Sequence, residues 1–218
     1  MLGKKPTKTT ALIAPLLLIG IMISSHSTIA NPLAQADAQR AQAKLKKCAR
    51  CHGDNGVSED AEIPHLAGQP ASYLFTQIQH FVADRRDGGR MNKMVRKLDE
   101  QMRADLAKYY STQELPPQGG VNPPPAPPLV STGDAGRKLD SCASCHGDEG
   151  LGKKDTYDAP ALAGMPKTYF SSSMISFADG SRATDENAIM QEVAKALSTA
   201  EIESLASYYL ALGKRNSP

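Results

Sequence analysis

Apolar residues recur every three or four positions along two segments of the chain that resemble each other. A proline suited to a first helical turn opens each segment, at Pro70 and at Pro166. No run alternates apolar and polar residues convincingly enough to predict a strand. The pattern therefore predicts an all-α protein. In the first segment the apolar face consists of Tyr73, Leu74, Ile78 and Phe81.

A further helix is predicted on each side of these segments. "DAQRAQAKLKK" is rich in good helix formers, and Asp134 is placed to cap a shorter counterpart, "AGRKLDS". The third helix begins at Asp99 in one half and at Ser198 in the other, where "STAE" forms a capping box with Glu201. We therefore expect three helices in each half.

The two halves are copies of one plan. "CARCHGDNG" matches "CASCHGDEG", and residues 64–81 and 91–109 match residues 160–177 and 190–208 without a gap. Between the halves lies "ELPPQGGVNPPPAPPLVSTG", whose proline and glycine content predicts an extended linker. The expected domains are residues 37–114 and 131–218, joined by a linker over residues 115–130.

The N-terminus predicts a signal peptide over residues 1–30. Three lysines within the first eight residues precede an apolar run over residues 11–23, which is too short to span a bilayer comfortably. Small residues follow, so that cleavage fits after Ala30 or after Ala36, and an uncleaved anchor is the alternative. The expected location is the periplasm.

Charge excludes one class of partner. Removal of the three signal lysines from the 25 basic residues leaves 22, against 23 acidic residues. Because the mature chain is nearly neutral, nucleic acid is not an expected partner.

The repeated Cys-x-x-Cys-His motif carries the chemistry. On a helix its two thiols and its imidazole share one face, so that both thiols can bond a haem while the histidine reaches the iron. A thioredoxin-like disulfide lacks its βαβ context here, a zinc site would need a fourth ligand, and plain buried cysteines leave the histidines unexplained. The sequence therefore predicts two covalently bound haem c groups. The residues concerned are Cys48, Cys51 and His52 in one half, and Cys142, Cys145 and His146 in the other.

A methionine is the expected second axial ligand of each iron. The second half has no histidine besides His146, and thioether sulfur suits haem iron. Its candidates are Met165, Met174 and Met190. Met174 lies in an apolar helical stripe and Met165 aligns with Gln69, whereas Met190 aligns with Met91. Met190 and Met91 are therefore the predicted ligands.

The first half offers rivals to Met91. They are His65, His80, Met94 and Met102, which align with Ala161, Ser176, Val193 and Glu201. Each histidine is expected to be a surface residue or to have its hydrogen bonds satisfied. Met94 is close enough to Met91 to stay an alternative ligand.

The whole mature chain resembles the dihaem class I cytochromes c, and among them the cytochrome c4 family. The residues that carry the likeness are the two "CxxCHG" motifs, "LAGQ" before "YL", a phenylalanine before a Gly/Arg-rich loop, and a last helix ending in "LAxYY". "LAGM" in the second half and the proline-rich linker depart from the pattern. The resemblance implies two three-helix domains that face each other across a pseudo-twofold axis.

The resemblance also implies roles for individual residues. The carbonyls of Pro64 and Pro160 are placed to accept a hydrogen bond from the two proximal histidines. Tyr73, Tyr169, Arg90 and Arg182 are candidates to contact the haem propionates, with ordinary core or surface roles as the alternative.

The expected function is single-electron transfer in the periplasm to a terminal haem-copper oxidase, not catalysis. His/Met coordination leaves no open position for a substrate and raises the reduction potential. Redox proteins are the expected partners, with a quinol-oxidising complex as donor and the membrane surface as a further candidate contact. The alternatives are a cytochrome subunit of a dehydrogenase, such as a flavoprotein, and a dihaem peroxidase or thiosulfate-oxidising enzyme.

Overall fold

The protein is described by a computed structural model over residues 1–3, 31–115, 124–152, 158–184 and 187–213. Within these ranges it contains helices and no strand, which confirms the all-α prediction. The predicted signal segment falls almost wholly outside the described residues. Residues 116–123 of the predicted linker also fall outside them. No helix in the described ranges is long and apolar enough to cross a membrane.

Four helices build the first half around a small apolar core. The last of them, α4, packs against both α1 and α2. The buried core residues are Ala41, Leu74, Leu106, Ala107 and Tyr110. The helices are α1 (Ala38–His52), α2 (Ala71–Val82), α3 (Arg90–Val95) and α4 (Glu100–Ser111).

The second half repeats the arrangement with two differences. A one-turn helix, α5, precedes it, and α6, the counterpart of α1, has only five residues. Here α7 packs against α8 and α9, and Phe170, Phe177 and Tyr209 lie in the core. Leu129 and Val130, at the end of the proline-rich segment, are buried in the same core. The helices are α5 (Pro128–Ser131), α6 (Cys142–His146), α7 (Lys167–Ala178), α8 (Ile189–Ala196) and α9 (Thr199–Leu212).

The predicted helix starts are confirmed. Pro70 and Pro166 immediately precede α2 and α7. The Asp99 carboxylate accepts a hydrogen bond from the Met102 amide (2.7 Å) at the start of α4. Ser198 and Glu201 form the expected capping box at the start of α9. Side chains that satisfy the first free amides of a helix explain why the sequence located these boundaries.

The helix predicted over "AGRKLDS" is wrong. Its place is taken by a 3₁₀ turn, Ala135–Arg137, after which Lys138 adopts a left-handed conformation with φ of 57°. Asp134 caps this turn, and the Arg137 guanidinium donates to Asp134 and to Glu201 of α9 (2.8 and 2.7 Å). The turn therefore docks on α9 instead of continuing as a helix, and α6 is left with five residues.

The loop after each Cys-x-x-Cys-His motif is held by the same three main-chain hydrogen bonds in both halves. In the first half the Gly56 carbonyl accepts from Leu66 and Ala67 (2.7 and 3.1 Å), and the Gly68 amide donates to the Tyr110 carbonyl (3.1 Å). In the second half Gly150 accepts from Leu162 and Ala163, and Gly164 donates to Tyr209. Each loop is thereby fixed to the last helix of its own half.

The two halves contact each other through reciprocal pairs. Arg86 donates to the Tyr169 hydroxyl (2.6 Å), and its repeat equivalent Arg182 donates to the Tyr73 hydroxyl (3.0 Å). Residues 86 and 182 also form an antiparallel bridge. In each pair the arginine of one half bonds to the tyrosine of the other. Such reciprocal contacts are typical of two units related by a twofold axis. The Gln69 amide adds two hydrogen bonds to the main chain of Ala161 (2.8 and 3.0 Å).

We predict that Asp105→Asn destabilises the protein by about 1–3 kcal/mol at pH 7. The Asp105 side chain is 1% exposed and accepts from the Asp37 amide (2.8 Å) and from the Arg40 guanidinium (2.7 Å), which ties α4 to the start of α1. Burial alone would raise the pKa of Asp105, but hydrogen bonds from Arg40, the Asp37 amide and Gln101 outweigh it and lower the pKa.

Urea unfolding followed by helical circular dichroism measures this loss. Because the folded-state pKa is depressed, the stabilisation is full above the carboxyl's ordinary pKa and disappears as the pH falls through the lower, folded value. The difference between wild type and Asp105→Asn should therefore shrink in strong acid. Exposed Asp140→Asn is the control, and equal midpoints for wild type and Asp105→Asn at pH 7 would contradict the prediction.

Candidate haem-binding sites

The two Cys-x-x-Cys-His motifs occupy equivalent positions at helix ends. Cys48, Cys51 and His52 form the last turn of α1, while the second motif makes up the whole of α6. Both histidines are buried, at 6% and 7% exposure. The helical spacing therefore delivers two thiols and one buried imidazole at the same place in each half, as the sequence predicts.

Each histidine is oriented by a carbonyl group from the following loop. His52 Nδ1 lies 3.0 Å from the Pro64 carbonyl oxygen, and His146 Nδ1 lies 2.9 Å from that of Pro160. Because a carbonyl oxygen only accepts, Nδ1 carries the proton and Nε2 is left with its lone pair. The predicted carbonyl partners are confirmed.

Burial keeps both imidazoles in the form that binds a metal. The pKa of His52 and that of His146 are lowered, chiefly by burial, while the proline carbonyl in each half opposes the shift. A neutral ring with a free Nε2 and a hydrogen-bonded Nδ1 is the usual state of a metal-ligating histidine. The donor set in each half therefore fits haem iron.

A glycine ends each motif helix. Gly53 has a φ of 79°, and a Cβ atom built there would lie 2.0 Å from the Val57 carbonyl oxygen. Gly147 adopts nearly the same φ, 81°. The chain can turn back beneath the histidine only because this residue has no side chain.

The four cysteines are free of disulfides, and burial raises the pKa of the Cys48 and Cys142 thiols. Within the described ranges no three His, Cys, Asp or Glu side chains cluster as ligands for a single metal ion, as the zinc interpretation would require.

The methionines considered as axial ligands fall into two groups: some lie in or against a hydrophobic core, and the others lie on short helices. Met165 and Met174 are buried in the second core, and Met102 packs against the first. Met190 is half-buried, is the second residue of α8 and packs against the core of its own half. In the first half Met91 and Met94 are both half-buried on α3, so the choice between them stays open.

An asparagine that the sequence analysis did not single out fixes the loop before Met91. Asn92 is buried, its side-chain oxygen accepts from the Gly88 amide (2.9 Å), and its nitrogen donates to the carbonyls of Phe81 and Arg86 (2.9 and 3.0 Å). The position of α3 depends on these contacts, which no local sequence pattern predicts.

The two extra histidines of the first half differ from each other. His65 is buried and its Nδ1 accepts from the Ser58 amide (2.9 Å), as expected of a satisfied histidine. His80 is also buried, at 3% exposure, and its ring lies against the main chain of Thr184 in the other half. A surface position for His80 is therefore wrong, because the ring is covered by Arg182 and Thr184 of the other half.

Family models match each half separately. Residues 134–212 match the cytochrome c family, and residues 34–109 match the family described as cytochrome C oxidase, cbb3-type, subunit III. Cytochrome c4 from Stutzerimonas stutzeri is 34% identical over 214 residues, which cover 90% of this chain and 96% of that protein. The chain belongs to the cytochrome c4 family.

Solved structures and other relatives agree with cytochrome c4 membership. The crystal structure of reduced recombinant cytochrome c4 from Pseudomonas stutzeri superposes with a TM-score of 0.69 and 30% identity, covering 81% of this chain and 98% of that one. The thiosulfate dehydrogenase electron acceptor of Thiomonas intermedia is 30% identical over 82% of this chain and 84% of that protein. The chain is therefore a dihaem electron carrier of the cytochrome c4 type with two covalent haem c groups.

We predict that protein matured with its haems carries two of them covalently. Intact-mass measurement should show the processed chain plus two haems, because both motifs keep all three attachment residues on a helix. Cys51→Ala should weaken attachment in the first half alone, and Cys145→Ala in the second. A mass with one haem or none would contradict the assignment of two sites.

Proposed function

We propose that this cytochrome c4 relative carries single electrons between redox proteins in the periplasm, with His52 and Met91 as axial ligands of one iron and His146 and Met190 as those of the other. The observation that supports this most is the repeated arrangement itself. Each half has a carbonyl-oriented histidine and, at the repeat-equivalent position, a methionine on a short helix.

The side chains of this protein suit fast electron transfer with little rearrangement. When bound, a haem supplies iron that alternates between the ferric and ferrous states. The Pro64 and Pro160 carbonyls hold the imidazole rings in one orientation, and the main-chain bonds of each loop to Tyr110 or Tyr209 hold the carbonyls. A methionine in the sixth position would leave no room for a substrate at iron.

Delivery to a terminal haem-copper oxidase is the first candidate physiological role. A second candidate is supported by a specific relative, since the protein from Thiomonas intermedia is described as a thiosulfate dehydrogenase electron acceptor. In both roles the chain only transfers electrons and converts no substrate. The roles differ in the electron donor, which is a quinol-oxidising complex in the first and a thiosulfate dehydrogenase in the second.

The enzyme alternatives have less support in the arrangement of side chains. A peroxidase needs an acid or base beside an open iron position. His65 already accepts a hydrogen bond from Ser58, and His80 lies at the contact between the halves.

We predict that Met190→Ala removes the long-wavelength charge-transfer band of ferric Met–iron coordination from one haem, and that Met91→Ala removes it from the other. Each variant should lose about half of the wild-type band, and the potential of the affected haem should fall, because thioether ligation favours the ferrous state. Absorption spectra and redox titrations measure both effects.

Met94→Ala and Met174→Ala are the matched controls. If Met94→Ala removes the band while Met91→Ala keeps it, the first ligand is misassigned by about one helical turn. Native spectra of bis-histidine type would contradict both methionine assignments.

We predict that the reduced holoprotein binds little carbon monoxide at neutral pH, shows negligible peroxidase turnover, and passes electrons rapidly to membranes that contain a terminal oxidase. Stopped-flow spectroscopy measures each reaction. Rapid stoichiometric carbon monoxide binding together with peroxide turnover would contradict this prediction and favour the peroxidase alternative.

A parallel experiment separates the two carrier roles. The oxidised holoprotein is mixed with a purified thiosulfate dehydrogenase and thiosulfate, and with a quinol-oxidising membrane preparation. Fast reduction by the first donor alone would assign the protein to thiosulfate oxidation. Fast reduction by the second donor, followed by oxidation by the oxidase, is the result expected of the respiratory role.

A further inference from the structure

One glutamine of the first half is bonded to the main chain of the second half. Gln69 is 3% exposed and follows Gly68, whose amide donates to the Tyr110 carbonyl of α4 (3.1 Å). The Gln69 Nε2 donates to the Ala161 carbonyl (2.8 Å), and its Oε1 accepts from the Ala161 amide (3.0 Å). Because one side chain pairs with both the donor and the acceptor of the same residue, two bonds fix its position on the second half.

The Ala161 amide belongs to the same peptide group as the Pro160 carbonyl. That carbonyl oxygen lies 2.9 Å from His146 Nδ1 and accepts its proton. The peptide group therefore accepts a hydrogen bond from the second proximal histidine at one end and donates one to Gln69 at the other. An imidazole ring, a main-chain peptide group and a side-chain amide of the other half form one continuous chain of hydrogen bonds.

Hydrogen bonds joined in a chain strengthen one another. When a peptide N–H donates, the peptide group is polarised and its carbonyl oxygen becomes a better acceptor. A histidine that donates its Nδ1 proton to a better acceptor carries more negative charge on its ring and is a more basic ligand. Because ferric iron has the higher positive charge, a more basic ligand favours it over ferrous iron and lowers the reduction potential.

The contact acts in one direction only. Met165 stands where the repeat would require a second glutamine, and it is buried in the core of its own half. Its thioether sulfur is only a weak hydrogen-bond acceptor. The main-chain bond that runs the other way, from the Tyr169 amide to the Ala61 carbonyl (2.9 Å), ends at a residue that precedes Pro64 in the loop. The first half therefore reaches the peptide group beneath His146 through a side chain that the second half lacks.

We propose that Gln69 is a positioning residue for His146. By accepting from the Ala161 amide it strengthens the hydrogen bond from His146 to the Pro160 carbonyl, and it thereby lowers the potential of the second haem from across the contact between the halves. The proposal rests on the proposed ligation of the second iron by His146. The competing explanation is that Gln69 only holds the two halves together, in which case the strength of the histidine bond does not depend on it.

The test is nuclear magnetic resonance of the ferrous holoprotein with ¹⁵N-labelled histidine, together with a redox titration. Gln69→Met removes the amide with little change of volume and introduces the residue that the repeat has at this place. The His146 Nδ1–H signal should move upfield, because its hydrogen bond is weaker, and that of His52 should stay. The potential of the second haem, which is the one affected in Met190→Ala, should rise. An unchanged His146 signal would overturn the proposal.

Gln77→Met is the matched control, because Gln77 is the other buried glutamine at the contact between the halves. Its side-chain oxygen accepts from Arg86 (2.7 Å) and from Arg182 of the second half (3.1 Å), and it has no bond to the peptide group beneath His146. This variant loosens the contact but should leave the His146 Nδ1–H signal at its wild-type position. An upfield shift equal to that of Gln69→Met would overturn the proposal in favour of the competing explanation.

Gln69→Glu tests for rescue. It is measured at pH 9, so that the introduced carboxyl is ionised and offers a strong oxygen acceptor at the same distance along the side chain. The His146 signal should return to its wild-type position or move beyond it downfield. If Gln69 only held the halves together, a buried charge would weaken the contact and rescue nothing. A signal as far upfield as in Gln69→Met would therefore overturn the proposal.

Intact mass and helical circular dichroism establish that each variant is folded and carries both haems. If Gln69→Met fails this check, Gln69→Leu takes its place, since it removes the same amide with a different shape. The long-wavelength band of Met–iron coordination should persist in every Gln69 variant. Failure of the proposed ligation would already appear in the wild-type spectra. Failure of the present proposal would appear only in the variants, so the two failures are distinguishable.

Discussion

The hydrogen bond from each proximal histidine to a proline carbonyl is the contact on which the rest of each half depends. It joins the helix that carries the cysteines to the loop that follows, and it sets which ring nitrogen is free. The same loop bonds to the Gly56 or Gly150 carbonyl and to the last helix through Tyr110 or Tyr209. Because the carbonyl, the glycine turn and the last helix are linked in series, displacement of any one would rotate the imidazole. Orientation of the ligand is therefore a property of the whole half.

Duplication of this unit explains the contact between the halves. A surface that presents both an arginine and a tyrosine can pair with a copy of itself, and the Arg86–Tyr169 and Arg182–Tyr73 bonds do so. The copies have since diverged at this contact. Gln69 makes two hydrogen bonds to the Ala161 main chain, whereas its equivalent Met165 packs into the second core.

Features with a local cause were predictable from the sequence. Cap residues such as Asp99 and Ser198 satisfy amides within one turn, and the Cys-x-x-Cys-His spacing needs only a helix to converge. The 3₁₀ turn at Ala135–Arg137 was not predictable in this way, because Arg137 reaches Glu201 on a helix that lies far along the chain. The burial of His80 likewise depends on how the second half docks, which periodicity within one half cannot reveal. The choice between Met91 and Met94 as ligand has a local cause, because both lie on the same short helix, α3.

The divergence of the copies bears on what two haems in one chain can do. Two identical halves would hold their irons in the same surroundings, and an electron would gain nothing by moving from one to the other. Here one half contributes a buried imidazole where the other has a serine, and Gln69 of one half bonds to the main chain of the other while its equivalent Met165 packs into the second core. The Gln69 contact is also made beside Pro160, whose carbonyl orients His146, so the first half acts directly on the ligand geometry of the second. Unequal surroundings of this kind would give two bound haem irons different potentials, and different potentials would give electron transfer between them a direction.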